Sequence, residues 1–295
     1  MIDFKKIEIS DKEWVSRILA FSDYRGAEYN FTNLYIWDGI YKSEIGRFKD
    51  FLIIRTGIQG ERSYLYPPGR GDKREVLDEI VKDASYDESN FSLIGITRDT
   101  KAELEKMFPH TFRFKLVRDS FDYIYDADKL ATLSGKKLQP KRNHLNHFNT
   151  NYNWSYEEFT AGKVAQVKEF SHEWCRRMDC KKIETLSWET CAVEKCLDNF
   201  EELNMKGGIL LADGEIVAYT VGEVLNSDTI VVHIEKAFSE VRGAYPMINR
   251  EFVKRNAPGF KYVNREDDIG DEGLRKAKES YYPSLLLEKF SATLI

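Results

Sequence analysis

The sequence lacks most of the features that would assign it to a special class. No apolar run approaches the roughly 20 residues that a membrane-crossing helix needs. The N-terminus, MIDFKKIEISDKEW, is charged and amphipathic, unlike a signal peptide. These two absences set the expectation of a soluble, cytoplasmic protein. Net charge is −5 over 295 residues, so no overall attraction to nucleic acid or to an anionic membrane is expected. Cysteine is scarce: Cys175, Cys180, Cys191 and Cys196, with no CxxC knuckle. Both close pairs are spaced CxxxxC inside helical patterns, and residues five apart on a helix point in different directions. Reduced, half-buried thiols are therefore expected, and no metal site. Aromatic residues, at 13%, are in good supply, which fits deep cores or an aromatic-lined cleft.

Hydrophobic periodicity gives the element order. A short strand over 3–9 precedes a helix capped by Asp11, with Trp14, Ile18 and Phe21 at helical spacing. A second helix covers about 27–38. The strands YKSEIGRF, FLIIRTG and SYLYPP follow, then the turn PPGRGD and a helix over 72–84. Strand FSLIGIT, a helix over 100–108 and strand TFRFKLVRD complete this half. From YNWSYEEF onward the same order recurs: two helices (162–178 and 187–202), strands joined by Asp213-Gly214 in a tight hairpin, strand TIVVHIE, helix, strand FKYVN, helix and strand SLLLEKF. The fold class expected is α/β, a tandem duplication with each half a mixed sheet flanked by helices. The boundaries expected are a lobe at 1–126, a linker at 127–150 and a second lobe at 151–295. In the linker, Asp128 suits a one-turn helix cap and Pro140 the first position of a second helix, whose buried side is Leu145 and Phe148.

Between Thr229 and Pro283, polar residues fall where apolar ones are due. Alternation puts Ile230, Val232 and Ile234 on one face of a strand and His233 and Glu235 on the other. In the helix after Gly243, Asn249 lies inside the stripe of Tyr245, Ile248 and Phe252. In the helix after Asp271, Lys278 sits between Leu274, Ala277 and Tyr281. A buried amide or ammonium without a partner costs a few kcal/mol or more. Glu235, Arg265, Glu266, Asp267 and Asp268 are the available partners, which predicts a polar pocket at the strand ends. The bland alternative is a satisfied network with a structural role only.

The element order resembles the GCN5-related N-acetyltransferase fold, present twice. The pieces FTNLYIW, LSGKKLQPKRNHLNHF, HIEKAFSEVRGAYPMINREF and NREDDIGDEGLRKAKESYYP resemble a bacterial family grouped with the C-terminal domain of phosphatidylglycerol lysyltransferase, whose tandem build is shared by the Fem aminoacyltransferases. That resemblance implies an acyltransferase using aminoacyl-tRNA as donor and an amine, hydroxyl or lipid head group as acceptor. In acetyltransferases of this fold a Q/R-x-x-G-x-G/A turn holds the pyrophosphate of coenzyme A. Here the equivalent positions read SEVRGAY and PPGRGD, an incomplete match that favours aminoacyl over acetyl transfer. The sequence also has no counterpart of the membrane-spanning portion of lysyltransferases or of the helical hairpin that some Fem enzymes insert.

On this resemblance Glu235 is the candidate base and His233 the second. Arg265 and Lys278 would hold a carboxylate or phosphate, and Tyr245 and Asn249 the acyl group, with Glu266 and Asp267 alongside. Lys141, Arg142 and Asn143 of the basic linker helix, with Arg242, would meet the anionic end of the donor, a tRNA contact. Two alternatives remain: a binding module for a small anion, an amino acid or a tRNA end, and a coenzyme A-dependent N-acetyltransferase.

Overall fold

The computed structural model describes residues 2–58, 61–85 and 91–295. The first half runs β1 (Phe4–Lys6), α1 (Lys12–Ser22), α2 (Phe31–Ile36), α3 (Asp38–Tyr41), β2 (Glu44–Phe48), β3 (Phe51–Ile58), β4 (Glu61–Leu65), α4 (Lys73–Ser85), β5 (Ser92–Ile96), α5 (Arg98–Met107), β6 (Phe112–Leu116) and β7 (Asp122–Asp126). Two linker helices follow, α6 (Ala127–Thr132) and α7 (Gln139–Asn151). The second half runs β8 (Trp154–Glu158), α8 (Val164–Arg177), α9 (Glu184–Asp198), β9 (Lys206–Ala212), β10 (Glu215–Val224), β11 (Thr229–Ala237), α10 (Ala244–Asn256), β12 (Tyr262–Asn264), α11 (Glu272–Glu279), β13 (Leu285–Leu287) and β14 (Phe290–Leu294). The predicted hairpin forms with Asp213 at φ 53° and Gly214 at φ 90°, the pair of positive angles that a tight two-residue turn needs.

The strands form two seven-stranded mixed sheets, ordered β1-β2-β3-β4-β5-β14-β6 and β8-β9-β10-β11-β12-β7-β13. Position by position the second repeats the first, so the duplication is real. The sixth place, however, is exchanged. β14, from the end of the chain, lies antiparallel between β5 and β6, and β7 pairs antiparallel with β12. The compact units follow this exchange. One comprises residues up to Asp122 with Asp267–Asp271 and Leu286–Ile295; the other comprises Tyr123–Glu266 and Glu272–Leu285. They therefore differ from boundaries drawn at 126 and 151. Backbone pairing, which is blind to sequence distance, decides which sheet a strand joins.

Three local expectations are corrected. Val15 and Leu19 are the buried residues of α1, while Phe21 is exposed. On α11 only Lys278 is buried; Leu274 and Ala277 face outward. Cys175 and Cys180 are joined in a disulfide with Cα atoms 5.2 Å apart, whereas Cys191 and Cys196 are free. CxxxxC spacing turns two thiols apart only where one helix carries both. The helix ends at Arg177 instead, and Asp179 takes a left-handed φ of 54° that turns Cys180 back.

In the first unit a buried ammonium anchors the exchanged strand region. Lys289 Nζ donates to Glu28 Oε2 at 2.6 Å and to Asp122 Oδ1 at 2.7 Å, and the other Asp122 oxygen accepts the Ala27 amide at 2.8 Å. Burial disfavours the charge on Lys289, but the two carboxylates outweigh it and raise its pKa.

Candidate functional site

β11 and β12 run parallel through only three pairs, ending at Val231 opposite Asn264. Beyond that point β11 continues to Ala237 paired with β10 alone. Glu235 lies on this stretch. Its Oε1 accepts from Arg265 Nη2 at 2.8 Å and its Oε2 from Asn249 Nδ2 at 2.7 Å. Arg265 is the first residue after β12, and Asn249 is delivered by the buried face of α10. Lys278 donates to the Arg265 carbonyl at 2.6 Å, and Tyr125 donates its hydroxyl to the Lys278 carbonyl at 2.8 Å. The backbone that presents Arg265 is thereby fixed from α11 and β7.

Aromatic rings line the cluster. The Arg265 guanidinium lies 4.9 Å from the Tyr281 ring centre and 5.7 Å from that of Tyr125. The Lys141 ammonium is 4.0 Å from the Tyr281 ring centre. Burial and then the nearby Arg265 charge lower the pKa of Lys141 to about 8, with Glu235 opposing. Burial holds the Tyr125 and Tyr281 phenols neutral by raising their pKa values. Two buried polar atoms of the cluster, Asn249 Oδ1 and Arg265 Nη1, make no hydrogen bond among the described residues. One is an acceptor and the other a donor, and each is costly to leave unmatched.

Five of the sequence-predicted residues, Glu235, Asn249, Arg265, Lys278 and Lys141, are thus gathered. His233 is not among them. Its Nδ1 lies 2.8 Å from Glu266 Oε1 and its Nε2 3.1 Å from Glu223 Oε1, with the side chain 1% exposed. Burial works against the imidazolium, but the two carboxylates outweigh it and raise the pKa to about 9. With both nitrogens engaged, His233 has no free lone pair to act as a base. A stability consequence follows. The raised value means the contribution is complete below the unfolded pKa of roughly 6.5 and is lost as pH climbs through about 9. The shift corresponds to about 3 kcal/mol at about 1.4 kcal/mol per pH unit. Urea unfolding between pH 6 and 10 should show that loss in the native chain and little of it in His233→Gln.

The remaining candidates lie elsewhere. Arg142 donates to the Leu133 carbonyl and, at 2.7 Å, to that of Gly135, so it ties the linker together. Asn143 is exposed and accepts from Gln139 at 2.9 Å. Asp267 belongs to the first unit, where it adds to the negative field at Lys289. Tyr245 is half-buried beside Trp174 and the Ala237 backbone, and burial raises its pKa. Arg242 is exposed. The turn that holds it does not fit a pyrophosphate. The amides of Val241 and Ala244 are donated to the Phe238 and Val241 carbonyls at 3.1 and 3.0 Å. At Gly243 (φ 98°) a Cβ would sit 2.5 Å from the His144 carbonyl oxygen, so an acceptor rather than a donor covers the turn.

Lys236 escaped the sequence reading. It is buried with its ammonium 3.7 Å from the Trp174 ring centre and 2.9 Å from Glu189 Oε2. The signal was present, since the alternation of Ile230, Val232 and Ile234 carries straight on to Lys236. At the equivalent point of the first unit a side chain bridges the two strands. After Leu65 opposite Ile94, the Tyr29 hydroxyl donates between the Tyr66 and Gly95 carbonyls at 3.1 and 3.2 Å.

The family described as phosphatidylglycerol lysyltransferase, C-terminal, matches residues 19–293. The chain belongs to this family. A conserved protein of unknown function from Bacteroides thetaiotaomicron is 39% identical, with both chains covered in full and a TM-score of 0.96. L-PGS from Bacillus licheniformis is 18% identical, with 96% of this chain and 91% of that one covered, at a TM-score of 0.67. FemX is 10% identical, with coverage of 98% and 96% and a TM-score of 0.54. For this member of the lysyltransferase C-terminal family, the last two likenesses show that the fold, whose two sheets repeat one another, is shared at low identity. Among the described residues, no helix is long and apolar enough to cross a membrane.

Proposed function

We propose that the chain is an aminoacyltransferase, taking its acyl group from an aminoacyl-tRNA ester and passing it to an amine or hydroxyl acceptor. The observation that carries this reading is the unmatched pair of Asn249 Oδ1 and Arg265 Nη1 on either side of Glu235. An α-aminoacyl ester supplies both complements a short distance apart. Its ammonium donates to Asn249 Oδ1 and the adjoining Glu235 carboxylate, and its carbonyl oxygen accepts from Arg265 Nη1. Attack by the acceptor forms the new C–N or C–O bond and places negative charge on that oxygen. Arg265 is then positioned to stabilise the oxyanion; collapse breaks the ester bond, and the proton given up by the acceptor's N–H or O–H passes to the departing ribose oxygen, which leaves as the tRNA hydroxyl. Glu235, with a donor already on each oxygen, acts on this reading by orienting the ammonium and Arg265. The packed turn at Gly243 favours this donor over a coenzyme A thioester.

The test is consumption of the ester in tRNAs charged with labelled amino acids, with amines and phospholipids offered as acceptors. Turnover is expected from the native chain, with a loss of at least about tenfold in Glu235→Gln, since hydrogen bonds to a charged group are worth about 1.5–3 kcal/mol. Consumption of acetyl-coenzyme A but of no aminoacyl ester would refute the reading. Binding of the ester without turnover would make the site a binding module.

A further inference from the structure

Tyr281 and Tyr282 are consecutive but face opposite ways. Tyr281 is 6% exposed and carries the Lys141 and Arg265 cations, whereas Tyr282 is 50% exposed. Tyr282 also holds a left-handed φ of 54°, an uncommon conformation for a bulky side chain, set by its amide bonding to the Glu279 carbonyl at 2.9 Å and followed at once by Pro283. The exposed ring has a cation over one face, with Lys137 Nζ 5.3 Å from its centre, which leaves the other face for a partner. Lys136 and Lys137 stand exposed on a turn anchored by buried Leu138. Five Lys/Arg and no Asp/Glu occur between positions 129 and 156 of a chain whose net charge is −5. A solvent-facing aromatic ring with one lysine over it and a second on the same turn, one residue from the acyl site, matches one occupant best. That occupant is a nucleotide with a flat base and an anionic backbone.

We propose that Tyr282, with Lys136 and Lys137, is a stacking platform for the single-stranded end of an RNA, whose base lies on the Tyr282 ring and whose phosphates meet the two lysines. The inference rests on the aminoacyl-tRNA reading for its direction, because it leads the acylated end of the RNA toward Tyr281, Lys141 and Arg265. It moves the RNA contact away from Arg142, which is committed to backbone carbonyls.

Fluorescence anisotropy with a labelled seven-nucleotide single-stranded RNA tests the platform without requiring turnover. Tyr282→Ala should weaken binding about tenfold or more, and Tyr282→Phe should restore it. A Lys136→Ala/Lys137→Ala chain should flatten the dependence of log affinity on log salt by about 1.4, the value for two lost phosphate contacts on a single strand. Unchanged affinity in Tyr282→Ala would overturn the proposal. So would binding to anionic phosphatidylglycerol vesicles that depends on Tyr282 when RNA binding does not. Ester turnover measured in parallel separates the two readings. Tyr282-dependent RNA binding without ester turnover in the native chain removes the transferase and leaves the platform. Turnover with RNA binding indifferent to Tyr282 removes the platform alone.

Discussion

Arg265→Lys is expected to lower the rate of aminoacyl transfer by about 10²- to 10³-fold, the typical cost of removing one donor from an oxyanion site. Lysine keeps the positive charge opposite Glu235, so the ion pair with its 2.8 Å contact has a replacement and the buried carboxylate is not stranded. The planar fork is what goes: one nitrogen on Glu235 and the other, Nη1, left over for the substrate. The loss should therefore appear in kcat more than in KM, with thermal unfolding shifted by only a few degrees. A purely structural role for Arg265 predicts the reverse, a large fall in melting temperature with the activity of the folded fraction intact. Initial-rate kinetics and a melting curve on the same preparation separate the two outcomes.

The second large effect concerns stability and involves no substrate. Lys289→Met should cost the first unit about 3–5 kcal/mol, because it leaves Glu28 and Asp122 facing each other with no counter-charge. Burial already raises the pKa of Glu28, with Lys289 opposing and Asp122 adding to the rise. Without the lysine, one of the two carboxylates must take up a proton to remain inside. The variant should accordingly recover stability as pH falls from 8 toward 5, the direction for a carboxylate whose folded pKa lies above its unfolded one. Adding Asp122→Asn should restore part of the loss at pH 8. Urea midpoints at the two pH values test this, and a variant as stable as the native chain at pH 8 would show that the triad contributes nothing.

The two-fold repeat was legible because it is written in local signals: the period-two strands, the amphipathic helices and the Asp213-Gly214 turn each follow from neighbours a few residues away. The exchange of β7 and β14 was not. DYIYD and FSATL are not among the strands read from the sequence, and nothing local says which sheet will take them. Half of the site was legible for a similar reason. Asn249 and Lys278 stand at positions where a helix calls for apolar side chains, and a buried polar group must find company. That logic identifies residues that are buried and polar, but it does not name their partners. His233 and Glu235 are equivalent by alternation, yet Glu223 and Glu266 close around the first while the second meets Arg265 and Asn249. Arg142 fails the same way: as part of the basic linker helix it was expected to meet an anion, and the carbonyls that claim it lie seven and nine residues back.

The most direct test of the central claim is calorimetric titration of the chain with a stable amide-linked aminoacyl-adenosine, because it needs neither an acceptor nor turnover. The account predicts saturable binding that weakens at least about tenfold, roughly 1.4 kcal/mol, when the α-amino group is acetylated, and that is likewise weakened by Glu235→Gln. Equal affinity for the free and acetylated forms would mean that Glu235 and Asn249 do not hold an ammonium, and would contradict it.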